Sequence, residues 1–139
     1  MSTIEPREIT SHLAGDDDVP LTLHATDEPG AGGANQRYDI TGFDTDHNPS
    51  RVGPEGYISS ISRLPVIFQR GPVDEEKGPN GITVEVLLAI VEDRLVGFQS
   101  GPYPCEENDI ALVNVRAAKA ALHARARTPN KTKQDEPVE

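Results

Sequence analysis

Apolar positions along this chain follow two rhythms. In the first half they alternate: Leu21 and Leu23 are interleaved with Thr22 and His24, and after a Gly-rich stretch Tyr38, Ile40 and Thr41 resume the period of two. Such alternation places successive side chains on opposite faces of a strand, so two antiparallel strands joined by the long connection "DEPGAGGAN" are predicted. Residues 44–56, "DTDHNPSRVGPEG", are dense in Pro, Gly, Asn and Asp and read as a loop. "YISSIS" and "LPVIFQ" are a third and a fourth candidate strand, and Pro65 assigns the latter to an edge because proline has no N–H to give a neighbour. After the loop "GPVDEEKGPNG" the period changes. Val84, Leu87, Leu88, Val91, Leu95 and Phe98 recur every three or four residues, one stripe of an α-helix that Thr83 can cap and Gly101-Pro102 can stop. A second, alanine-rich helix is predicted from Glu106 to about Arg127.

These elements define an α+β fold: a small N-terminal antiparallel β-sheet followed by a C-terminal antiparallel α-helical hairpin. Residues 1–18 carry no apolar period and are assigned to a flexible arm. Residues 19–128 are assigned to one domain, with a β part over 19–72 and the helical hairpin over 83–127. The polar tail 129–139 is expected to be disordered. The second helix is apolar on more than one face, through Ile110, Ala111, Leu112, Val113, Ala117, Ala118, Ala120 and Ala121. A helix covered along a single stripe has no need of that, so a homo-oligomer is expected.

Charge narrows the partners. The formal net charge is -10 over 139 residues, with 4% aromatics and no Trp, which argues against DNA or RNA as a ligand. The charge is uneven, however. Residues 114–133 hold Arg116, Lys119, Arg125, Arg127, Lys131 and Lys133 and no acid, so a local anion site is possible in principle. No apolar run reaches the ~20 residues that cross a bilayer and no signal-peptide core follows Met1, so no membrane association and a cytoplasmic location are expected. Cys105 is the single cysteine, which excludes an intrachain disulfide.

Several chemistries find no support in the residues. "GAGGAN" lacks the Lys and the strand–loop–helix context of a phosphate loop. Asp16, Asp17, Asp18, His24 and His47 have no metal-ligand spacing, and Ser59, Ser60 and Ser62 lie in no nucleophile motif. Cys105 reads as a small buried hydrophobe. What remains suits a nucleotide: Phe98 can stack on a base, Asn108 can read a base edge or a ribose hydroxyl, and Arg37, Arg70 and Arg125 can each grip phosphate. Each has a plain alternative. Phe98 fits the core by periodicity, Asn108 fits a helix N-cap, and Arg125 fits a solvated helix end. Asn108 and Arg125 are 17 positions apart, about 25 Å along one helix, so one ligand touching both would need two chains.

At these residues a resemblance enters. "DEPGAGGANQRYDITGF", "FQRGP", "NGIT" followed by "LLAIVEDRLVGFQSGP", the Cys105 and Asn108 spacing and the basic end "ALHARAR" resemble the phage Thoeris anti-defence sponges, whose helical hairpin is shared with anti-CBASS cyclic-nucleotide sponges. The match covers roughly residues 19–128. It implies a protein that is not an enzyme, uses no cofactor or metal, and acts in the host bacterial cytoplasm. Its ligand would be a cyclic ADP-ribose-type signal closed through a ribose–ribose link and made by bacterial TIR proteins. The resemblance further implies a dimer or hexamer with the pocket at the subunit interface, and a separate site for cyclic di- or trinucleotides. It assigns base stacking to Phe98, a polar contact to Asn108 and phosphate contacts to Arg125, Arg37 and Arg70. The second helix, "ALVNVRAAKAALHARAR", has alanine where larger residues would line that separate site. The rival expectations are an enzyme hydrolysing the signal with Asp44, Asp46 or Glu92 as base, and a phage structural or adaptor protein without a small ligand.

Overall fold

Alternating residues do pair as strands. β2 (Thr22–Ala25) and β3 (Arg37–Thr41) run antiparallel with Leu23 opposite Ile40 and Ala25 opposite Tyr38. This is a computed structural model of the chain, and it describes residues 5–15, 19–47, 52–53, 56–57 and 62–125. The connection between β2 and β3 is closed by Asp27, whose carboxylate accepts from the backbone N–H of Gln36 at 3.1 Å and of Arg37 at 3.2 Å. Gly33 turns the loop tip at φ +96°, a left-handed conformation that side chains with a Cβ resist.

The sheet has four strands in the order β1-β2-β3-β6, every neighbour antiparallel. β1 (Arg7–Ile9) corrects the assignment of residues 1–18 to a flexible arm, at least over its three residues. Three residues are too few to display a period, and the order comes from outside: β2 offers an open edge, and the Arg7 guanidinium donates to Asn35 Oδ1 at 2.8 Å. β6 (Arg63–Ile67) is the far edge, as Pro65 requires. Of the expected third strand over residues 57–62, only Tyr57 and Ser62 are among the described residues, and neither is in this sheet. Tyr57 instead belongs to β5 (Gly56–Tyr57), paired with β4 (Val52–Gly53) inside the segment expected to be loop; residues 58–61 lie outside the described ones. Residues 16–18 and the tail 129–139 also lie outside them.

Contacts divide the chain into two compact units, Met1–Ile67 and Phe68–Glu139, where the sequence suggested one domain with its β part extending to residue 72. The boundary falls at Phe68 because this residue bridges in parallel to Ile82, just ahead of the first helix. Gly81 permits that approach, since a Cβ there would lie 2.3 Å from the Phe68 carbonyl carbon.

In the second unit, α1 (Val84–Gln99) and α2 (Glu106–Arg125) form the antiparallel hairpin. Thr83 caps α1, its hydroxyl accepting from Val86 N–H at 3.1 Å. The half-buried positions of α1 are Glu85, Leu87, Leu88, Glu92, Leu95 and Gln99, so the covered side is turned from the apolar stripe towards Glu92. The stripe is therefore only partly covered, and its Val84, Val91 and Phe98 are exposed. Leu112 of α2 is buried, but Ile110 and Val113 are exposed. Among the described residues only Ala25, Asp39, Gly71 and Leu112 are buried. A two-helix layer has one seam, and one seam cannot cover two apolar faces.

Candidate functional site

The hairpin turn is built by one side chain. Gln99, the last residue of α1, donates through Nε2 to Cys105 O at 2.9 Å and to Asp109 Oδ1 at 2.7 Å, and its Oε1 accepts from Cys105 N–H at 3.0 Å. Phe98 precedes Gln99 and Asn108 precedes Asp109, so both lie at this end of the hairpin. Phe98 is 52% exposed, and the Arg94 guanidinium lies 5.3 Å from its ring centroid, within cation–π range. The expectation that Phe98 sits in the core is therefore corrected: the covered seam passes beside it. Asn108 is half-buried and is the third residue of α2, inside the first turn rather than at the N-cap. Glu106, Glu107 and Asp109 share that turn, where acidic groups favour the positive end of the helix. Cys105 is exposed, contrary to its reading as a buried hydrophobe, because it lies in the turn outside the seam.

Arg125 belongs to the other end of the hairpin, and Arg70 to the loop that precedes α1. Arg125 is half-buried at the last described position of α2. Arg70 is exposed in a loop braced by Asn80, whose Oδ1 accepts from Arg70 N–H at 2.8 Å and whose Nδ2 donates to Arg70 O at 2.9 Å. Asn80 stands three residues before the cap of α1, the end that an antiparallel hairpin places beside the end of α2. Along α2, Arg125 lies 17 positions beyond Asn108, about 25 Å.

Arg37 is in the first unit, on β3. Its Nε lies 3.4 Å from Asp39 Oδ1, and Arg63 of β6 approaches Asp39 Oδ2 at 3.6 Å. Asp39 is buried and its Oδ1 makes no hydrogen bond in the ideal range, so the two arginines compensate it by charge. The Gln99–Asp109 hydrogen bond thus brings the chain neighbours of Phe98 and Asn108 together at the hairpin turn, while Arg125 lies at the far end of α2 and Arg70 in the loop before α1. Sequence reading missed Arg94 and Gln99. The Arg94–Phe98 spacing of four was a legible signal; nothing local marks Gln99, whose partners lie six and ten residues on.

Two of the three acids named as possible bases, Glu92 and Asp44, have other engagements. Glu92 accepts from Arg116 Nε at 2.8 Å and from Lys119 Nζ across the seam. The Lys119 hydrogen bond, then that from Arg116, hold its carboxyl below the usual glutamate range. Asp44 is likewise held low, first by the His47 side chain at 2.9 Å and then by the Asp46 N–H. Among the described residues no three His, Cys, Asp or Glu side chains come together as a metal site.

Comparison with known proteins adds two findings. Residues 63–127 match the family described as Acb2/Tad1, hairpin domain. The chain is also 42% identical over 78 residues to a protein named Thoeris anti-defense 1 from Bacillus phage SBSphiJ7. The alignment takes in 56% of this chain and 53% of that protein, so the chain spans about half the length of the relative it matches.

Proposed function

We propose that the protein is a phage anti-defence sponge, a reading supported by the match of residues 63–127 to the family described as Acb2/Tad1, hairpin domain. It binds a cyclic ADP-ribose-type signal of the host's Thoeris defence in the bacterial cytoplasm and keeps it from its effector without altering it. The observation that carries this reading is the half-exposed Phe98 ring at the hairpin turn, next to Arg94 and close in sequence to Asn108. An exposed aromatic on the last turn of a helix is free to stack on a base, which a core phenylalanine is not. The name of the phage relative supports the anti-defence assignment.

Phosphate contacts fall to Arg125 and Arg70. Arg125 is too far along α2 to meet a ligand stacked on Phe98 of the same chain. A second copy lying antiparallel would bring its open end to this turn, and the exposed Ile110 and Val113 give α2 an apolar outer surface for such pairing. The site is accordingly placed between chains of a homo-oligomer. A sponge must hold its signal tightly; an affinity near 1 nM corresponds to about -12 kcal/mol, within reach of a closed pocket joining one stacked base to several arginine–phosphate pairs. Hydrolysis would need a free base; Glu92 is engaged with Arg116 and Lys119, and Asp44 with the His47 side chain.

The test is to incubate the protein with ribose–ribose-linked cyclic ADP-ribose, remove unbound ligand, denature by heat and chromatograph what is released. Intact ligand in proportion to protein is expected. Fragments, in the unbound fraction or after denaturation, would replace the sponge by an enzyme, and no retained ligand with the unbound ligand intact would reject both.

A further inference from the structure

The amide of Gln99 can face only one way, with its oxygen on the Cys105 N–H and its nitrogen between the Cys105 carbonyl and the Asp109 carboxylate. Both heavy atoms of the amide are thereby used, and the last turn of α1 is tied to the first turn of α2. The tie runs between the chain neighbours of Phe98 and Asn108. Gln99 itself lies on the half-buried seam side of α1, whereas Phe98 lies on the exposed flank. We infer that Gln99 and Asp109 form a clamp that sets the distance and orientation of Phe98 relative to Asn108, making Gln99 a positioning residue of the nucleotide site without contacting ligand. This rests on the proposal that Phe98 and Asn108 bind the signal.

The physical basis is a short lever. The seven-residue segment from Gln99 to Cys105 contains Gly101, Pro102 and Pro104, and two prolines supply no backbone N–H with which to brace the turn. The side chain of Gln99 supplies the bracing instead, through one hydrogen bond to a carboxylate, the stronger kind, and two to the backbone. A binding pair on two different helices needs such support, because a displacement of a fraction of an ångström misaligns stacking and hydrogen bonding together.

The decisive substitution is Gln99→Glu, which sets a carboxylate against the Asp109 carboxylate while still accepting from Cys105 N–H. Affinity for ribose–ribose-linked cyclic ADP-ribose, measured by titration calorimetry, is expected to fall about tenfold or more. Adding Asp109→Asn to Gln99→Glu restores a donor–acceptor pair and should return most of the loss. A purely structural role would lower the melting temperature and leave the affinity of the folded protein unchanged. Unchanged affinity in Gln99→Glu, or a loss that Asp109→Asn does not reverse, overturns the clamp. A ligand-free measurement separates this from the reading it rests on. If wild-type protein takes up no ligand, that reading fails, but the side-chain amide signal of Asn108 and the ring signals of Phe98 still decide the clamp. They should shift or broaden in Gln99→Glu and in Asp109→Ala while signals near Thr83 stay in place; unmoved Phe98 and Asn108 signals reject it.

Discussion

Phe98 carries two identities. By spacing it belongs to the apolar stripe of α1, and by environment it is 52% exposed with Arg94 near its ring. The energetic consequence is separable. Phe98→Ala should cost the fold less than about 1 kcal/mol, because little packing is lost at an exposed position, while costing binding about 1–3 kcal/mol through the lost stacking. Thermal melts and calorimetric titration with ribose–ribose-linked cyclic ADP-ribose measure the two effects on one sample. A variant that melts early but binds normally would return Phe98 to the core. The type of residue was legible in the sequence, as was the possibility of stacking. Its exposure was not, because a 3.6-residue period states which side chains share a face and not which part of that face a neighbour covers.

At the scale of the element, the helix hairpin was readable almost to its ends: Thr83 as cap, the stop near Gly101-Pro102 and the restart at Glu106 all follow from local chemistry. The seam was not. Glu92 enters it from the polar side of α1 and joins Arg116 and Lys119, 24 and 27 residues away in sequence. Such a group contributes stability with a definite pH dependence. Its folded-state pKa lies below the ordinary glutamate value, so the contribution is complete above that ordinary value and is lost as pH falls through the lower, folded one. Melting temperatures followed from roughly pH 6 down to 3, the range spanning carboxylate titration, should fall less steeply for Glu92→Gln than for wild type. Asp44 and Asp74, also held low, leave part of the slope in place. Identical slopes would show that the triad adds nothing to stability.

For the whole molecule, the decisive quantity is how little apolar surface the hairpin's single seam can cover. Val84, Val86, Ile90, Val91, Phe98, Tyr103, Ile110 and Val113 are all exposed on the second unit. No helix among the described residues is long and apolar enough to cross a membrane. Self-association is the proposed use of that surface, and it would also bring Arg125 of a second copy towards Phe98. Val113→Asp places a charge beside the open apolar depression lined by Asp109, Ile110, Val113 and Asn114. It should reduce the assembly to smaller species in sedimentation velocity, and weaken ligand binding in parallel although Val113 need not touch the ligand. A wild-type chain sedimenting as monomer at micromolar concentration would remove the shared site.

Local chemistry by itself settled the order of sheet and hairpin, the pairing of β2 with β3, the edge position of β6, the helix ends and the residue types suited to a nucleotide. Each depends on period, caps and proline, which act within a few residues. Tertiary structure alone decided that Arg7–Ile9 would add a strand, that the contacts would part at Phe68, that Phe98 would stand clear of the seam and that Gln99 would tie the turn. Those outcomes depend on which surfaces meet, and residues distant in sequence choose them through burial and hydrogen-bond satisfaction rather than through any local preference.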